Sequence, residues 1–389
     1  MTPWGAEGEI EGQALFGRTI LQVVPALDAS ASASVELAAS LADAGARALI
    51  AGPPGPLASE LQARGGVFIA FAEATRIPWQ AWRNRNRLAK LVLREGVELI
   101  HVRAGADVPG ALQAARQAHA PLVADFEAGQ DAAALDADSI LFYEREDMEA
   151  ALARRPALAG KAFRGFHGVD LRAFSPEAVD PARVRRLREA LGVKAHVRLV
   201  VALGLPAERR QTFLAAAAQL KAKHFFANDA QEARFVWLRG ESETASPAFD
   251  AEAARLGLDG VVLQIEWPDR AAACLAAAVV IAPAGESALC AEAQALGAPL
   301  VVMQVSGGAD EVEAVLAPPQ VDPASRTGWL AAPGPPAGLI RAVEEALRLG
   351  ATARENLAHR ARAHARNFST ERMNAIAMAV YARHFGVAE

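Results

Sequence analysis

The sequence predicts an α/β protein of two domains, each built around a parallel sheet. Its 389 residues suffice for two or three domains at roughly 150 residues each. Short apolar runs rich in β-branched residues alternate with amphipathic stretches of helical period through most of the chain. The alternation occurs twice, in two halves separated by residues 153–180, which lack clear periodicity. Repeats of this kind favour parallel sheets with right-handed crossovers.

The first half alternates predicted strands and helices. The strands are residues 18–25, 47–51, 67–71, 97–102, 121–126 and 139–143, and the helices are residues 35–45, 57–64, 77–96, 109–118 and 144–151. The carboxyl ends of parallel strands form the ligand-binding edge of an open sheet, so residues just beyond them are candidates for a cleft. These are Ser30 and Ser32 after the first strand, and His101 and Arg103 at the end of the fourth. A lone histidine is, however, more often structural.

The helix predicted over residues 77–96 is basic and amphipathic. Trp79, Trp82 and several leucines are interleaved with Arg83, Arg85 and Arg87. Two interpretations stay open. Either the helix packs on the sheet with a solvated basic face, or it offers a docking surface to anionic lipid or to an acidic protein partner.

The second half repeats the alternation. Helices are predicted at 181–191, 211–221, 247–256 and beyond 337, and strands at 197–203, 234–238 and 261–265. Residues 276–314 predict a strand, a loop, a helix beginning near Glu286 or Ser287, a second strand and a glycine turn. Helix N-termini at such an edge favour anionic groups. Glu292 and Glu311 are the prominent carboxylates of this segment, and the alternative is that both lie on solvated helix faces.

Composition narrows the class of protein. Hydrophobic residues make up 52% of the chain, which can therefore bury substantial cores, and a net charge of −5 argues against a general nucleic-acid binder. Cys274 and Cys290 lie in alanine-rich surroundings without metal-ligand spacing, which predicts buried thiols in a reducing compartment. The first residues lack a signal-peptide pattern, and no apolar stretch reaches the ~20 residues that span a bilayer. We therefore expect a soluble cytoplasmic protein.

Several segments together resemble the family 4 glycosyltransferases of the GT-B type. The matching segments are WRNRNRLAKLVLREGVELIHVR at 82–103, HGVDLRAFSP at 167–176, AEAQALGAPLVV from Ala291, SGGADE at 306–311 and NFSTERM at 367–373. The resemblance implies two Rossmann-like domains facing each other across a cleft, with the C-terminal helix crossing back to the first. The implied division is a flexible polar leader at 1–16, an acceptor-side domain at 17–165, a nucleotide-sugar-side domain at 166–366 and the returning helix at 367–389.

The resemblance also implies a chemistry. The family transfers a sugar from a nucleotide donor with retention of configuration and usually needs no metal, so no cofactor is expected. The leaving diphosphate then needs basic side chains, and the donor ribose needs a carboxylate, which Glu292 matches. The nucleotide-sugar-binding residues that the resemblance implies are Glu292, Arg209, Arg210, Gly307, Gly308 and Glu311.

Two departures from the family's pattern fall in the second half. Ala284 stands where the family has a Glu near the transferred sugar, and Glu286 lies two residues later. Gly204 stands where the family has the arginine of its diphosphate clamp. Arg209 matches the clamp's lysine, and Arg210 adjoins it. Half of the clamp is therefore missing from its usual position.

Two further departures fall in the first half. The loop after the first strand has Ala and Ser where the family has a Gly-Gly turn, and these side chains obstruct close approach of a ligand. Asp125-Phe126-Glu127 stands where the family often has a histidine, and a carboxylate there would add repulsion beside a diphosphate. The catalytic candidates are Glu286 and Glu127.

Three functions stay open. The first is an active retaining glycosyltransferase that modifies a glycan or lipid-linked acceptor in cell-envelope polysaccharide or lipopolysaccharide synthesis. The second is a catalytically inactive homologue that binds or scaffolds a partner through the cleft or the helix at 77–96. The third is a nucleotide-sugar epimerase of the same fold, against which the segment at 167–176 argues. We favour the first, in the cytoplasm or peripherally at the inner face of the membrane, because the scaffold resembles enzymes.

Overall fold

The computed structural model describes residues 13–71, 78–126, 132–223, 232–239, 246–267, 269–304 and 315–386. The chain divides into two compact units. The first unit comprises residues 1–168 and 370–389, and the second unit comprises residues 169–369. The predicted domain boundaries, 165/166 and 366/367, lie close to these divisions.

The first unit contains a seven-stranded parallel sheet in the order β3-β2-β1-β4-β5-β6-β7. Its strands are β1 (Thr19–Val23), β2 (Arg47–Gly52), β3 (Val67–Ala70), β4 (Leu99–Val102), β5 (Leu122–Phe126), β6 (Ser139–Phe142) and β7 (Ala162–Arg164). Alternate residues of β1 enter two separate cores, Ile20 on one face and Leu21 and Val23 on the other. Burial on both faces explains why these strands are nearly continuous apolar runs. The short β7 was not predicted.

The helices of the first half connect these strands. They are α1 (Ser32–Asp43), α2 (Ala58–Ala63), α3 (Pro78–Glu95), α4 (Val108–Ala118) and α5 (Arg145–Arg154). Helix α4 begins where the Asp107 carboxylate accepts a hydrogen bond from the backbone N–H of Gly110 at 3.2 Å. Helix α1 begins at Ser32, earlier than the predicted start at Val35.

Residues 13–16, assigned to a flexible polar leader, include Leu15, whose side chain is fully buried in a core of the first unit. Leu15 shares this core with residues of β1 and α1, and burial of its apolar surface stabilises that face of the sheet.

The second unit contains a six-stranded parallel sheet in the order β10-β9-β8-β11-β12-β13. Its strands are β8 (Arg198–Leu203), β9 (Ala233–Arg239), β10 (Val262–Glu266), β11 (Ala277–Pro283), β12 (Leu300–Met303) and β13 (Trp329–Ala331). Strand β13 lies at the edge of the sheet and was not predicted. Trp237 and Trp329 are buried in the core of this unit.

The helices of the second unit are α6 (Pro181–Ala190), α7 (Arg210–Ala222), α8 (Pro247–Arg255), α9 (Arg270–Ala276), α10 (Ser287–Ala295), α11 (Ala337–Leu347) and α12 (Ala351–Ala365). Helix α9 was not predicted, because its alanines continue into those of β11 without a break in the apolar pattern. Asp269 starts it by accepting a hydrogen bond from the N–H of Ala272 at 3.0 Å. The two predicted buried thiols, Cys274 and Cys290, are both buried.

The last helix, α13 (Thr370–Ala382), belongs to the first unit. Met373, Ala377, Val380 and Tyr381 are buried there. A Cβ added to Gly168 would lie 2.7 Å from the Cα of Thr370, so only glycine fits at this point of the HGVD segment. No helix in the described ranges is long and apolar enough to cross a bilayer.

Candidate functional site

Each sheet has one central pair of strands at which the strand order reverses: β1 and β4 in the first unit, β8 and β11 in the second. Open α/β sheets hold their ligands at the carboxyl ends of the strands beside such a pair. The predicted site residues that the structure describes lie near the ends of these strands, in the loops after them or in the helices that follow: Ser30, Ser32, His101, Arg103, Arg209, Arg210, Glu286 and Glu292. Four others, Glu127, Gly307, Gly308 and Glu311, lie outside the described residues.

Glu292 lies in α10 and is held by Arg270 of α9. The carboxylate is buried and accepts two parallel hydrogen bonds, from Arg270 Nε to Oε2 at 2.9 Å and from Nη2 to Oε1 at 2.7 Å. Burial raises the pKa of Glu292, Arg270 opposes this, and the nearby Glu286 adds to the rise. The structure therefore excludes the alternative that Glu292 lies on a solvated helix face. Arg270 was not predicted as a site residue. The sequence feature that could have located this helix is Asp269, a typical N-cap residue directly before Arg270.

The loop between β11 and α10 carries Ala284 and Glu286. The backbone N–H of Ala284 donates to the carbonyl of Met303 at 2.9 Å, and Gly285 adopts a positive φ of 88°. Glu286 occupies the N-cap position of α10, but its side chain makes no capping hydrogen bond to the described part of the chain. Glu286 is exposed as a residue. Partial desolvation by the protein nevertheless raises the pKa of its carboxyl, and the charge of Arg270 opposes this rise. Glu286 and Glu292 thus share Arg270 as a neighbouring cation.

The segment after β8 begins with Gly204, which lies against α10. Gly204 has a positive φ of 66°, and a Cβ there would lie 2.4 Å from Cδ1 of Leu289 in α10. A longer side chain would be strained by this backbone conformation and would displace Leu289. Arg209 instead donates from Nη2 to the carbonyl of Gln304 at 3.2 Å. The Arg210 guanidinium lies 5.7 Å from the ring centre of Trp237.

At the corresponding edge of the first sheet, Asp125 is the centre of a buried polar network. Its Oδ1 accepts from His101 Nε2 at 2.8 Å and from the Tyr143 hydroxyl at 3.0 Å. Its Oδ2 accepts from Arg103 Nε at 3.1 Å and from the backbone N–H of Ala104 at 3.4 Å. These four bonds fill the acceptor capacity of a carboxylate. Burial alone would raise the pKa of Asp125, but Arg103 and His101 outweigh it and hold that pKa at about 2.

Tyr381 connects this network to α13. Its hydroxyl lies 2.5 Å from Nδ1 of His101. Since His101 donates from Nε2 to the ionised Asp125, Nδ1 is the acceptor and Tyr381 is the donor. Burial raises the pKa of Tyr381, which keeps this proton in place. The chain has 2 tyrosines, and both belong to the network, with Tyr143 stacked on His167 at 4.7 Å between ring centres.

The four predicted cleft residues of the first unit therefore divide into two pairs. His101 is fully buried, and with Arg103 it is committed to Asp125 inside the unit. Ser30 and Ser32 are exposed, and Ser30 donates to the Asp28 carboxylate from both its hydroxyl and its backbone N–H, at 2.6 and 2.9 Å. The Asp125 charge, predicted to repel a diphosphate, is neutralised within this network.

Comparison with solved structures identifies the architecture. The chain aligns with a glycosyltransferase from Rickettsia africae ESF-5 at a TM-score of 0.75 and 17% identity, covering 96% of this chain and 100% of that one. It aligns with sucrose-phosphate synthase from Thermosynechococcus elongatus at 0.68 and 18% identity, covering 95% and 100%. For HepE from Anabaena, solved in complex with UDP-glucose, the values are 0.66 and 18%, covering 92% and 98%.

The chain has the GT-B fold. This confirms the predicted fold class, and at 17 to 18% identity the likeness establishes the fold alone. No protein-family model and no curated protein matches the chain. In the part of this GT-B chain that the structure describes, no group of three or more His, Cys, Asp or Glu side chains is placed to hold a metal ion.

Proposed function

We propose that the protein is a retaining glycosyltransferase. It transfers a sugar from a nucleotide-sugar donor to a glycan or lipid-linked acceptor in cell-envelope glycan or lipopolysaccharide synthesis. The observation that carries the proposal is Glu292, a buried carboxylate in the helix that starts beside the central strand pair of the second sheet. It occupies the position that the resemblance gives to the ribose-binding Glu. The UDP-glucose complex of HepE supports a nucleotide-sugar donor.

We assign the charge of the leaving diphosphate to Arg209, Arg210 and the N-terminus of α10. The two arginines lie at the start of α7, the helix that follows β8, and α10 is the helix that follows β11. The first backbone N–H groups of a helix lack partners within the helix and favour an anion. Together these groups offer positive charge without a metal. Glu286 is the candidate for the group nearest the transferred sugar, and Gly307, Gly308 and Glu311 are assigned to the donor on the resemblance alone.

Binding of nucleotides tests the proposal. Purified protein is titrated with UDP, GDP, ADP and their glucose conjugates, and unfolding is followed by thermal shift and calorimetry. A true ligand at 100 times its Kd is expected to stabilise the chain by about 2.7 kcal/mol. If none of these compounds binds, the proposal is wrong.

Replacement of Glu292 with alanine tests the site. Loss of charge-assisted hydrogen bonds to the ribose is expected to weaken nucleotide binding about 10- to 100-fold. Glu344→Ala is the matched control, because Glu344 is also buried in the second unit and also paired, with Lys223 at 2.9 Å. An equal loss of affinity in both variants, or none in Glu292→Ala, would remove Glu292 from the site.

A catalytically inactive binding or scaffold protein is the second candidate function. Gly204 and Ala284 favour it, because the clamp arginine and the sugar-side Glu are both absent from their usual positions. Turnover separates the two candidates. An enzyme releases free nucleoside diphosphate from the donor that it binds, at a rate that rises when acceptor is added. Binding without any release favours the scaffold.

The exposed face of α3 supports docking to an anionic lipid surface. Trp79 and Trp82 are 60% and 67% exposed, and Arg83, Lys90 and Leu93 are exposed along the same helix. Residues three and four apart share a helix face, so aromatic and basic side chains form one stripe. Arg85 of the predicted basic set is instead directed to Asp107, with Nε 3.4 Å from Oδ2.

Sedimentation with vesicles tests this surface. We expect binding to phosphatidylglycerol vesicles and not to phosphatidylcholine vesicles, with about 1 kcal/mol contributed by each basic residue at the surface. The variant Trp82→Ser with Arg83→Glu and Lys90→Glu should lose binding, while Arg154→Glu with Arg155→Glu, at the C-terminal end of α5, should not. Equal loss in both variants would indicate general charge attraction only, and no binding by the unaltered protein would leave an acidic protein as the partner of this face.

A further inference from the structure

The ion pair between Arg270 and Glu292 occupies the part of the carboxylate that a ribose would need. Nε and Nη2 of Arg270 bind the two oxygens of Glu292 side by side, at 2.9 and 2.7 Å. A carboxylate has a single face on which two donors can bind in parallel. Adjacent hydroxyls of a ribose require that same face. The pair and a doubly bonded ribose are therefore mutually exclusive.

Arg270 can leave the pair more easily than Glu292 can. The Arg270 side chain is 48% exposed, whereas that of Glu292 is 8% exposed. The backbone under Arg270 is anchored separately, because Arg183 binds Asp269 through two hydrogen bonds of 2.7 Å, and Asp269 caps α9. Movement of the guanidinium consequently leaves the helix in place.

A displaced Arg270 would supply a positive charge at the carboxyl-terminal edge of the second sheet. The resemblance expects an arginine at this edge, at position 204, where the chain has glycine. The helix of Arg270 follows the carboxyl end of β10, and its partner helix α10 follows β11, at the central strand pair. Gly204, at the end of β8, cannot provide the clamp arginine without strain and without displacing Leu289. Arg270 binds Glu292 directly, and its charge also opposes the rise in the pKa of Glu286, the second carboxylate of this edge.

We propose that Arg270 is a binding residue that exchanges partners: donor binding displaces it from Glu292, which then binds the ribose, and Arg270 pairs with the donor's diphosphate. This rests on the proposed function and adds a residue to its site. Ribose binding and diphosphate binding are coupled in this arrangement, because the Arg270 guanidinium leaves Glu292 to the ribose and moves to the diphosphate. A nucleoside without phosphates has to break the ion pair and gains no replacement for it.

Paired ligands with and without the diphosphate test the exchange. The Kd values of uridine and UDP, guanosine and GDP, and adenosine and ADP are measured by calorimetry for the unaltered protein, Arg270→Gln, Arg270→Lys and Arg183→Gln. In Arg270→Gln the nucleoside should bind about 10-fold more tightly, because no ion pair has to break. The additional affinity gained from the diphosphate should fall about 10-fold or more. Arg270→Lys keeps the charge and should retain most of that gain.

Arg183→Gln is the matched control, since it breaks a similar two-bond pair beside the site without touching Glu292. An unchanged ratio of nucleoside to nucleotide affinity in Arg270→Gln overturns the exchange and leaves the proposed function intact. So does a uniform loss of both affinities, which would mean that Arg270 only holds the structure. If Arg270→Gln does not fold, Arg270→Lys is the deciding variant. If the two parallel hydrogen bonds of Arg270 serve only to hold the structure, this variant should bind nucleoside and nucleotide with equally reduced affinity. If the unaltered protein binds none of the six compounds, the proposed function and the exchange are both wrong.

Discussion

Replacement of Asp125 with alanine is expected to destabilise the first unit by about 3–5 kcal/mol, because it removes one partner of a buried charged group. The four donors that bind its carboxylate all lose their acceptor: His101, Arg103, Tyr143 and the backbone N–H of Ala104. Urea unfolding followed by tyrosine absorbance measures this unit, because both tyrosines of the chain lie in the network.

Asp136→Ala is the control for Asp125→Ala. Asp136 also pairs with an arginine, Arg155, but both side chains are largely exposed and the N–O distance is 3.4 Å. Exposed pairs contribute about 0–1 kcal/mol, so this variant should unfold close to the unaltered protein. Similar midpoints for the two variants would mean that the buried network does not stabilise the first unit.

The same network predicts a loss of stability in acid. The pKa of Asp125 is about 2 in the folded chain and 3.8 when unperturbed. The unfolded chain therefore takes up this proton first, and the contribution of Asp125 is complete above pH 3.8 and lost as the pH falls toward 2. Burial lowers the pKa of His101 below 6.5, although Asp125 acts in the opposite direction. The unfolded chain therefore protonates this histidine before the folded chain does, and the free energy of unfolding begins to fall below pH 6.5. If the urea midpoint followed by tyrosine absorbance rose as the pH was lowered from 6.5 to 4, this assignment would be wrong.

Replacement of Tyr381 with alanine is the second large effect that we expect. The Tyr381 side chain, on α13, is fully buried in a core of the first unit. Truncation of a buried aromatic side chain lowers the free energy of unfolding by about 3–5 kcal/mol. It also leaves Nδ1 of His101 without its donor. Because α13 is part of the first unit, this variant should release α13 to proteases before the rest of that unit unfolds.

Two further variants separate packing from hydrogen bonding at Tyr381. Tyr381→Phe keeps the ring and removes only the hydroxyl, so it should destabilise by about 1–3 kcal/mol. Phe16→Ala removes an aromatic ring that is 74% exposed and should change the midpoint little. If Tyr381→Ala were no more damaging than Phe16→Ala, α13 would not be a structural part of the first unit.

Most strands and helices were predictable because their residues repeat with a local period. Strand β1 and helix α10 lie within or close to the ranges that the apolar pattern indicated. The pattern missed β7 and β13, since three residues are too few to establish a period and both strands depend on a neighbouring strand for their hydrogen bonds. It also missed α9, because a run of alanines is compatible with a buried helix or a buried strand.

The candidate site was only partly predictable. The position of Glu292 followed from the resemblance and from its place beyond a strand, but its partner Arg270 did not, because no local pattern joins residues on two separate helices. The glycine at position 204 was visible in the sequence. That a side chain there would meet Leu289 became apparent only from the packing of α10 beside β8.

The alternation of strands and helices, the two-part organisation and the residues near the ends of the central strands can all be read from the local sequence pattern. Which of those residues are hydrogen-bonded inside the first unit is visible only in the folded structure. Asp125 is committed to His101, Arg103, Tyr143 and, through His101, to Tyr381, which is 280 residues from that histidine. Apolar periodicity acts between near neighbours, whereas a buried polar group has to find its partner wherever the fold brings one, and unpaired burial is too costly to persist.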